Sequence, residues 1–179
     1  MQRRHLLQGL IAGGSLGLTG CASLSGMFGG TSASKARVLV IGGGYGGATA
    51  SKYIRLLSDY KIDVMMVEPN RQFVSCPVSN LVIGGQRKMA DITNPYSGLS
   101  DKHGVRIVHD MVTSVDAVKK TATLAGGTVV QYDKLVMSPG IDFLWNQTEG
   151  LQAAHASGQI LHAWKAGPQT TLLRQQLEA

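Results

Sequence analysis

Three glycines and one glutamate have the types and the spacing of a dinucleotide-binding turn. Gly42, Gly44 and Gly47 follow a G-x-G-x-x-G pattern. In such a turn the first glycine permits a tight bend, the second lets the backbone approach a pyrophosphate, and the third lets the next helix pack closely. Glu68 lies 21 residues beyond Gly47, where a carboxylate can accept both ribose hydroxyls of an adenosine. Because that charge would repel a 2′-phosphate, the pattern predicts FAD or NAD as the ligand and argues against NADP.

The predicted strands and helix around these residues decide whether the pattern indicates nucleotide binding, because glycine-rich turns also occur without a ligand. Arg37 to Ile41 is a Val/Ile-rich strand, and a second strand ends at Glu68. The helix between them is predicted to carry one apolar face, at Ala50, Tyr53, Ile54 and Leu57. Its N-terminus would offer N–H groups and a partial positive charge to the phosphates. The alternative is an ordinary strand-to-helix turn.

Residues 1–35 are predicted to be a twin-arginine export signal and a linker. Arg3 and Arg4 precede a moderately apolar, glycine-rich run from Leu6 to Leu18. Cys21 closes a stretch that resembles a lipoprotein cleavage box, which predicts lipid attachment there or, alternatively, ordinary cleavage before Lys35. A cytoplasmic protein with an apolar N-terminus is the remaining interpretation. The twin-arginine route exports folded proteins, so we expect a periplasmic protein that receives its cofactor before transport.

Charge and hydropathy argue against a nucleic-acid partner and against a transmembrane helix. Residues 1–35 hold three of the six net positive charges of the chain, and the other Lys and Arg residues are scattered rather than interleaved with aromatic residues. No nucleic-acid partner is therefore predicted. No window reaches the length of about 18 apolar residues that spans a bilayer, so no transmembrane helix is predicted.

The remaining part, residues 36–179, is long enough for one core. It is short for the enzymes that this fingerprint serves, and the sequence stops inside a predicted helix at Leu172 to Ala179. We therefore expect an N-terminal fragment of a larger flavoprotein. The fold class predicted is α/β, a Rossmann-like FAD-binding domain with a parallel sheet and an antiparallel β-meander, incomplete at the C-terminus.

A second, antiparallel layer is predicted after Glu68. Its strands are expected at Val105 to Val108, Met111 to Val115, Thr121 to Leu124 and Thr128 to Tyr132. Gly126-Gly127 supplies the turn of a hairpin within it. Asp133 to Met137 is expected to be another buried strand, which ends in the turn Ser138-Pro139-Gly140.

Several segments together resemble the flavoprotein subunit of flavocytochrome c sulfide dehydrogenase. They are Arg37 to Ile54, Glu68-Pro69-Asn70, Val74 to Asn80, Val82 to Gly85, Tyr132-Asp133, Ser138 to Ile141 and His162-Ala-Trp-Lys-Ala-Gly167. The resemblance covers nearly everything from Lys35 onward, and the last segment is typical of that family rather than of flavoproteins in general. It implies sulfide oxidation in the periplasm, with electrons passing from FAD to a c-type haem subunit.

The resemblance and the fingerprint together give the predicted cofactor-binding residues. They are Gly42, Gly43, Gly44, Tyr45, Gly46, Gly47, Glu68, Pro69, Asn70, Cys76, Ser138, Pro139 and Gly140. In the resembled family the cysteine at the position of Cys76 forms a thioether to the 8α-methyl of FAD, which implies the same role here. Eight extended residues span at most about 26 Å, enough to lead from the adenosine end of the cofactor to its ring. The alternative is a buried cysteine that fills space.

The resembled family uses a redox-active disulfide over the flavin, and both of its cysteines would lie beyond Ala179. We therefore expect this sequence to bind FAD in part but not to oxidise sulfide by itself. One alternative is a flavoprotein like sulfide:quinone oxidoreductase, which shares the fingerprint but would dock on the membrane. Another is a non-catalytic nucleotide-binding module.

Other residues that could carry chemistry have simpler interpretations. The histidines outside the leader lack metal-ligand spacing, so no metal site is predicted, and they are expected to be surface or hydrogen-bonded residues. They are His103, His109, His155 and His162. Trp164 could line the flavin site or pack against the sheet. Met65, Met66 and Met137 are predicted to fill the core.

Overall fold

The computed structural model describes residues 36–179. Its nine strands in that range are β1 (Arg37–Ile41), β2 (Asp63–Val67), β3 (Gln72–Val74), β4 (Thr93–Pro95), β5 (Arg106–Val108), β6 (Val112–Asp116), β7 (Thr121–Leu124), β8 (Val129–Gln131) and β9 (Lys134–Met137). The helices are α1 (Tyr45–Leu57), α2 (Ser79–Ile83), α3 (Ser97–His103), α4 (Leu151–Ala156) and α5 (Pro168–Glu178). Short 3-10 helices cover Met89–Ile92 and Trp145–Gln147. The predicted export signal, the linker and Cys21 lie outside the described residues.

The central sheet is parallel, with strand order β5-β2-β1-β9. Adjacent parallel strands need crossover connections, and α1 supplies the one between β1 and β2. The α/β, Rossmann-like fold predicted from the sequence is confirmed. The assignment of Val105 to Val108 to the antiparallel layer was wrong, because β5 pairs parallel with β2 after a long connection that contains α3. A strand pattern alone does not reveal which sheet the strand joins.

Alternating side chains of β1 and β2 fill two cores on opposite faces of the sheet. On one face, Leu39 and Met65 pack against residues of the meander, including Leu124 and Tyr132. On the other face, Val40 and Met66 pack with Tyr96 and other buried side chains. Burial on both faces explains why these strands are continuous apolar runs.

The antiparallel meander consists of β6, β7 and β8 in that order. It forms where the sequence predicts it, with bounds that differ by one residue at each end of β6 and β8. Gly127 takes a φ of +82° in the hairpin turn, and the Leu124 N–H donates to the Thr128 carbonyl at 2.8 Å. The meander covers one face of the parallel sheet.

β9 is not the buried strand that the sequence suggests. It pairs on one side with β1 and is the outermost strand of the sheet within the described residues. Leu135 and Val136 are half-buried, and Met137 is 59% exposed. The prediction that Met137 fills the core was therefore wrong, whereas Met65 and Met66 are fully buried.

The buried face of α1 also differs from the expected one. Its buried residues are Gly47 and Ser51, while Tyr53 is 45% exposed and Leu57 is 80% exposed. The helix lies so close to β1 that only small side chains fit between them, so the larger apolar residues turn outward. Ile54 is the one predicted face residue that packs on the core as a large side chain.

α5 begins earlier than the predicted C-terminal helix, at Pro168, which follows the N-cap residue Gly167. It packs against α2, and the Arg174 guanidinium donates to the Ile83 carbonyl at 3.3 Å. No helix in the 36–179 range is long and apolar enough to cross a membrane.

Candidate dinucleotide-binding site

The bend after β1 depends on Gly42. Its φ is +95°, a conformation that residues with a side chain rarely adopt. Its N–H donates to the Val67 carbonyl at 2.9 Å, which joins the turn to the end of β2. A Cβ atom at this position would overlap the carbonyl oxygen of Ser138. The turn therefore passes directly against the residue that follows β9.

Gly46 and Gly47 let α1 start against the sheet. A Cβ atom at Gly47 would overlap the Gly42 carbonyl oxygen, and one at Gly46 would lie 2.8 Å from Ser138 Oγ. Gly47 therefore needs glycine for close packing against backbone, which matches the helix-packing role that the spacing predicts for it. At Gly46 the neighbour is the end of the Ser138 side chain, which can move aside. Residues 42–47 are called the glycine turn below.

Gly44 differs from its neighbours because it faces open space. No described atom lies within 4 Å of the position that a Cβ would take. Gly44 is also the N-cap of α1, where no described side chain caps the helix and no acid occupies its first turn. The first N–H groups of a helix have no partner within it, and no described side-chain cap occupies them here. Such a surface suits an anionic group, especially a diphosphate.

The Glu68 carboxylate lies beside the glycine turn. Glu68 is 8% exposed, and its Oε2 accepts a hydrogen bond from the Gly43 N–H at 2.8 Å. Its Oε1 accepts the backbone N–H of Asn70 at 2.8 Å and the side-chain amide of Asn70 at 2.6 Å. A carboxylate has about four lone-pair sites, so rotation of the exposed Asn70 side chain would leave room for two ribose hydroxyls.

Two further hydrogen bonds fix the backbone of Glu68. Its N–H donates to the Val108 carbonyl at 3.0 Å, and its carbonyl lies 3.1 Å from His109 Nδ1. Because these bonds tie the end of β2 to the end of β5, the carboxylate projects from a fixed point of the sheet. His109 is thus placed as a hydrogen-bonded residue behind the site.

Tyr96 belongs to the site although no pattern in the sequence predicts it. Its side chain is buried, and its hydroxyl donates to the Gly43 carbonyl at 3.1 Å. Burial, with a smaller contribution from the Glu68 charge, raises the pKa of Tyr96 to about 12. The phenol therefore stays protonated and remains a donor. A single tyrosine 53 positions from its partner belongs to no spacing pattern that could identify it.

Cys76 lies in the loop between β3 and α2, and its side chain is exposed. The interpretation in which it fills the core is therefore wrong. Its Sγ accepts the Ala166 N–H at 3.4 Å, while the neighbouring Ser75 hydroxyl is hydrogen-bonded to the Tyr45 hydroxyl. The loop thus connects the glycine turn with residues 162–167.

The other predicted residues occupy the rim of the turn. The Ser138 N–H donates to the Ile41 carbonyl at 2.8 Å, and Pro139 Cα lies 3.0 Å from a Cβ built at Gly42. Gly140 is exposed with a φ of +77°, and Pro69 is exposed immediately after Glu68. The structure thus gathers Gly42 to Gly47, Glu68, Asn70 and Ser138 to Pro139 around one opening.

A group of rings follows the Ser138 turn and was not predicted as a unit. It consists of Phe143, Trp145, His155, His162 and Trp164, here called the aromatic cluster. His155 stacks on both Trp145 and His162, with ring centroids 4.6 Å and 4.9 Å away, and the Trp145 and His162 centroids are 6.1 Å apart. Trp164 packs edge-on against Phe143 at 4.8 Å, so its closest ring contact lies within the cluster. Burial, and then the nearby His155, lower the pKa of His162.

Comparison with known proteins identifies relatives of this arrangement. A family model described as pyridine nucleotide-disulphide oxidoreductase matches residues 36–167. The solved structure of the sulfide:quinone oxidoreductase from the hyperthermophilic bacterium Aquifex aeolicus is similar, with 25% identity and a TM-score of 0.65. That match covers 80% of this chain and 32% of the other.

Two further structures are similar in fold alone. An NAD-dependent persulfide reductase from A. fulgidus is 20% identical, with a TM-score of 0.66 over 79% of this chain and 28% of the other. NDH2 from Plasmodium falciparum is 17% identical, with a TM-score of 0.65 over 80% of this chain and 28% of the other. The chain thus spans less than a third of the length of these three structures.

Proposed function

The chain belongs to the pyridine nucleotide-disulphide oxidoreductase family, and from this premise we propose that it binds FAD in a protein that oxidises sulfide and passes the electrons to a c-type cytochrome. The observation that carries the proposal is the pairing of two features. One is the open surface at Gly44 and the start of α1. The other is the buried Glu68 carboxylate, which is bonded to the same turn.

The residues fit the two ends of an adenosine diphosphate group. Gly44 and the N–H groups at the start of α1 would hold the diphosphate, because no described atom occupies the space in front of them. Glu68 would accept the ribose hydroxyls through its free lone pairs, with Asn70 turning aside. Ser138 and Pro139 close the rim on the other side of Gly42.

The position of Cys76 supports FAD over NAD. Its exposed thiol lies next to Ser75, which is bonded to Tyr45 at the start of α1. The Ala166 N–H donates to Cys76 Sγ, and this contact holds the thiol beside the His162 to Gly167 segment. FAD, when bound, supplies a ring that accepts two electrons.

The choice of sulfide and of a cytochrome rests on the sequence segments shared with flavocytochrome c sulfide dehydrogenase. The His162 to Gly167 segment among them contacts Cys76 through Ala166. The similarity to a sulfide:quinone oxidoreductase supports sulfide as the electron donor and also provides the second candidate, with a quinone as acceptor. A periplasmic location, reached through the twin-arginine signal, favours the cytochrome.

Expression of the 179-residue chain tests the cofactor assignment. We expect a yellow protein whose flavin stays with the pellet after acid precipitation, because Cys76 holds it covalently. In the Cys76→Ser variant the flavin should appear in the supernatant, while the protein remains yellow before acid is added. A colourless wild-type protein would contradict FAD binding. It would favour the alternative in which the chain is a non-catalytic nucleotide-binding module.

Two assays on the whole protein separate the acceptors and the location. With sulfide as electron donor, we expect reduction of cytochrome c and little reduction of a quinone. The opposite preference would favour the second candidate, in which a quinone is the electron acceptor. A double Arg3→Lys, Arg4→Lys variant should remain in the cytoplasm, because the twin-arginine route reads that pair. Periplasmic recovery of this variant would remove the proposed route.

A further inference from the structure

The backbone of Gly43 is held at both its N–H and its carbonyl, although the spacing pattern assigns no role to this glycine. Its N–H donates to Glu68 Oε2 at 2.8 Å, and its carbonyl accepts the Tyr96 hydroxyl at 3.1 Å. All three residues are buried. Glu68 and Tyr96, which are far apart in sequence, thus meet at one residue of the glycine turn.

Space around Gly43 shows how closely the two side chains approach. A Cβ atom there would lie 2.6 Å from the Tyr96 hydroxyl oxygen and 2.9 Å from Glu68 Cγ. Any side chain would push the tyrosine or the glutamate away. The requirement for glycine at position 43 therefore comes from this contact, whereas the requirements at Gly42 and Gly47 come from the backbone.

The hydrogen bond to the carbonyl also determines where the N–H points. The Gly43 N–H lies in the peptide plane that joins Gly42 to Gly43, and the Gly43 carbonyl lies in the next plane, which joins Gly43 to Gly44. Because each plane carries one of the two hydrogen bonds, rotation of the backbone between them at Gly43 is restricted. The N–H then keeps its direction toward Oε2, and the carboxylate plane of Glu68 is held at that oxygen. The remaining lone pairs of the carboxylate keep a fixed direction as a result.

We infer that Tyr96 is a positioning residue for nucleotide recognition, which aims the Glu68 carboxylate at the ribose hydroxyls by holding the backbone of Gly43. Tyr96 contacts no part of the ligand in this arrangement and acts through Gly43 and Glu68. The inference rests on the proposed function, since it assigns Glu68 to the ribose.

Two nucleotides that differ only at the ribose test this role in the full chain. Calorimetry with ADP and with 2′,3′-dideoxy-ADP should show that the wild type prefers ADP by about tenfold or more, because hydrogen bonds to a charged group are lost with the hydroxyls. Tyr96→Phe should weaken ADP binding by about fivefold, as expected for loss of one hydrogen bond. Its affinity for the dideoxy nucleotide should stay within about twofold of wild type.

Tyr132→Phe is the matched control. Tyr132 is also a buried tyrosine, 5% exposed, but it lies in the core between the meander and the other face of the sheet. Removing its hydroxyl should leave both nucleotide affinities unchanged. A purely structural role for Tyr96 would weaken binding of both nucleotides equally, and that outcome would overturn the inference.

The wild-type chain gives a second measurement that does not depend on folding of the variant. In NMR spectra ADP should shift the Gly43 amide and the Tyr96 ring signals, while the dideoxy nucleotide should move them much less. Equal shifts with both nucleotides would overturn the inference and leave diphosphate binding intact. Failure of the wild type to bind either nucleotide would overturn the proposed function and the inference together.

Discussion

The glycine turn and the aromatic cluster are built in different ways. The turn is held by backbone hydrogen bonds and by contacts that leave no room for a Cβ atom, such as those of Gly42 with Val67 and Ser138. The cluster is held by ring stacking among side chains, and the pKa of one of its members, His162, is lowered by burial and by the nearby His155. Backbone contacts give a rigid site whose geometry barely depends on solution conditions, whereas stacked histidines give a segment that responds to pH.

Gly42→Ala, compared with Gly44→Ala, tests the rigid half of this contrast. The first change forces a side chain into a positive φ and into the Ser138 carbonyl, so it should lower the free energy of unfolding by about 3–5 kcal/mol. The second places a methyl group in open space at ordinary backbone angles. It should change stability by less than about 1 kcal/mol, and urea denaturation measures both.

The same pair of variants separates stability from binding. Because Gly44 faces the opening where the diphosphate would lie, Gly44→Ala should weaken FAD or ADP binding while the chain stays folded. Equal stability of the two variants would show that the turn is not rigid. Unchanged nucleotide affinity in Gly44→Ala would show that the opening is not the binding surface.

The contrast also explains what the sequence could predict. A turn with fixed backbone geometry requires glycine at set positions, so the spacing of Gly42, Gly44 and Gly47 predicts the turn from the sequence. Glu68 is predicted in the same way, because it follows at the distance of one strand-helix-strand unit. The parallel sheet and the meander follow from apolar periodicity. Tyr96 and the aromatic cluster were missed because their contacts join distant side chains with no fixed spacing.

Errors in the sequence prediction have a related cause. Apolar residues were assigned to the core, but Met137, Tyr53 and Leu57 are exposed. Met137 is on the outermost described strand, and α1 lies too close to β1 for large side chains. Neighbouring elements decide these outcomes, and a local pattern does not contain that information.

Two ion pairs, one in the parallel sheet and one beside the aromatic cluster, allow a second comparison. Asp133 accepts the Arg37 backbone N–H at 2.7 Å and its guanidinium at 3.0 and 3.2 Å, which joins β9 to β1. Asp142 forms a single 2.9 Å contact with Lys165 beside the aromatic cluster. Asp133→Asn should lower stability by about 1–2 kcal/mol, and Asp142→Asn by about 0.5 kcal/mol or less.

The contribution of the Arg37–Asp133 ion pair to stability should depend on pH, which provides a second test of this pair. Hydrogen bonds from the Arg37 side chain and backbone lower the pKa of Asp133. The unfolded chain therefore binds this proton more readily, so the stabilisation is present above the unfolded pKa and is lost as the pH falls through the folded one. Asp133→Asn should remove that part of the acid sensitivity in urea denaturation. Equal effects of both Asn variants at neutral pH would contradict the contrast between the regions.

The smallest effect is expected in the aromatic cluster at mildly acidic pH. His162 Nδ1 is buried without a hydrogen-bond partner among the described residues, and its pKa is lowered by burial and by His155, against a smaller opposite effect of Asp142. The unfolded or opened segment thus takes up a proton more readily. Packing of the cluster should be complete above pH about 6.5 and should loosen as the pH falls through the lowered pKa.

Tryptophan fluorescence can follow this opening by itself, because Trp145 and Trp164 are the two tryptophans of the chain and both belong to the cluster. We expect a red shift on acidification, at a pH where far-UV circular dichroism shows the parallel sheet intact. His162→Phe keeps a ring against Phe143 and removes the proton-binding group, so its fluorescence should no longer depend on pH in this range. A fluorescence change that coincides with global unfolding would mean that the cluster and the glycine turn resist acid equally. That result would contradict the distinction between a region held by backbone contacts and a region held by ring stacking.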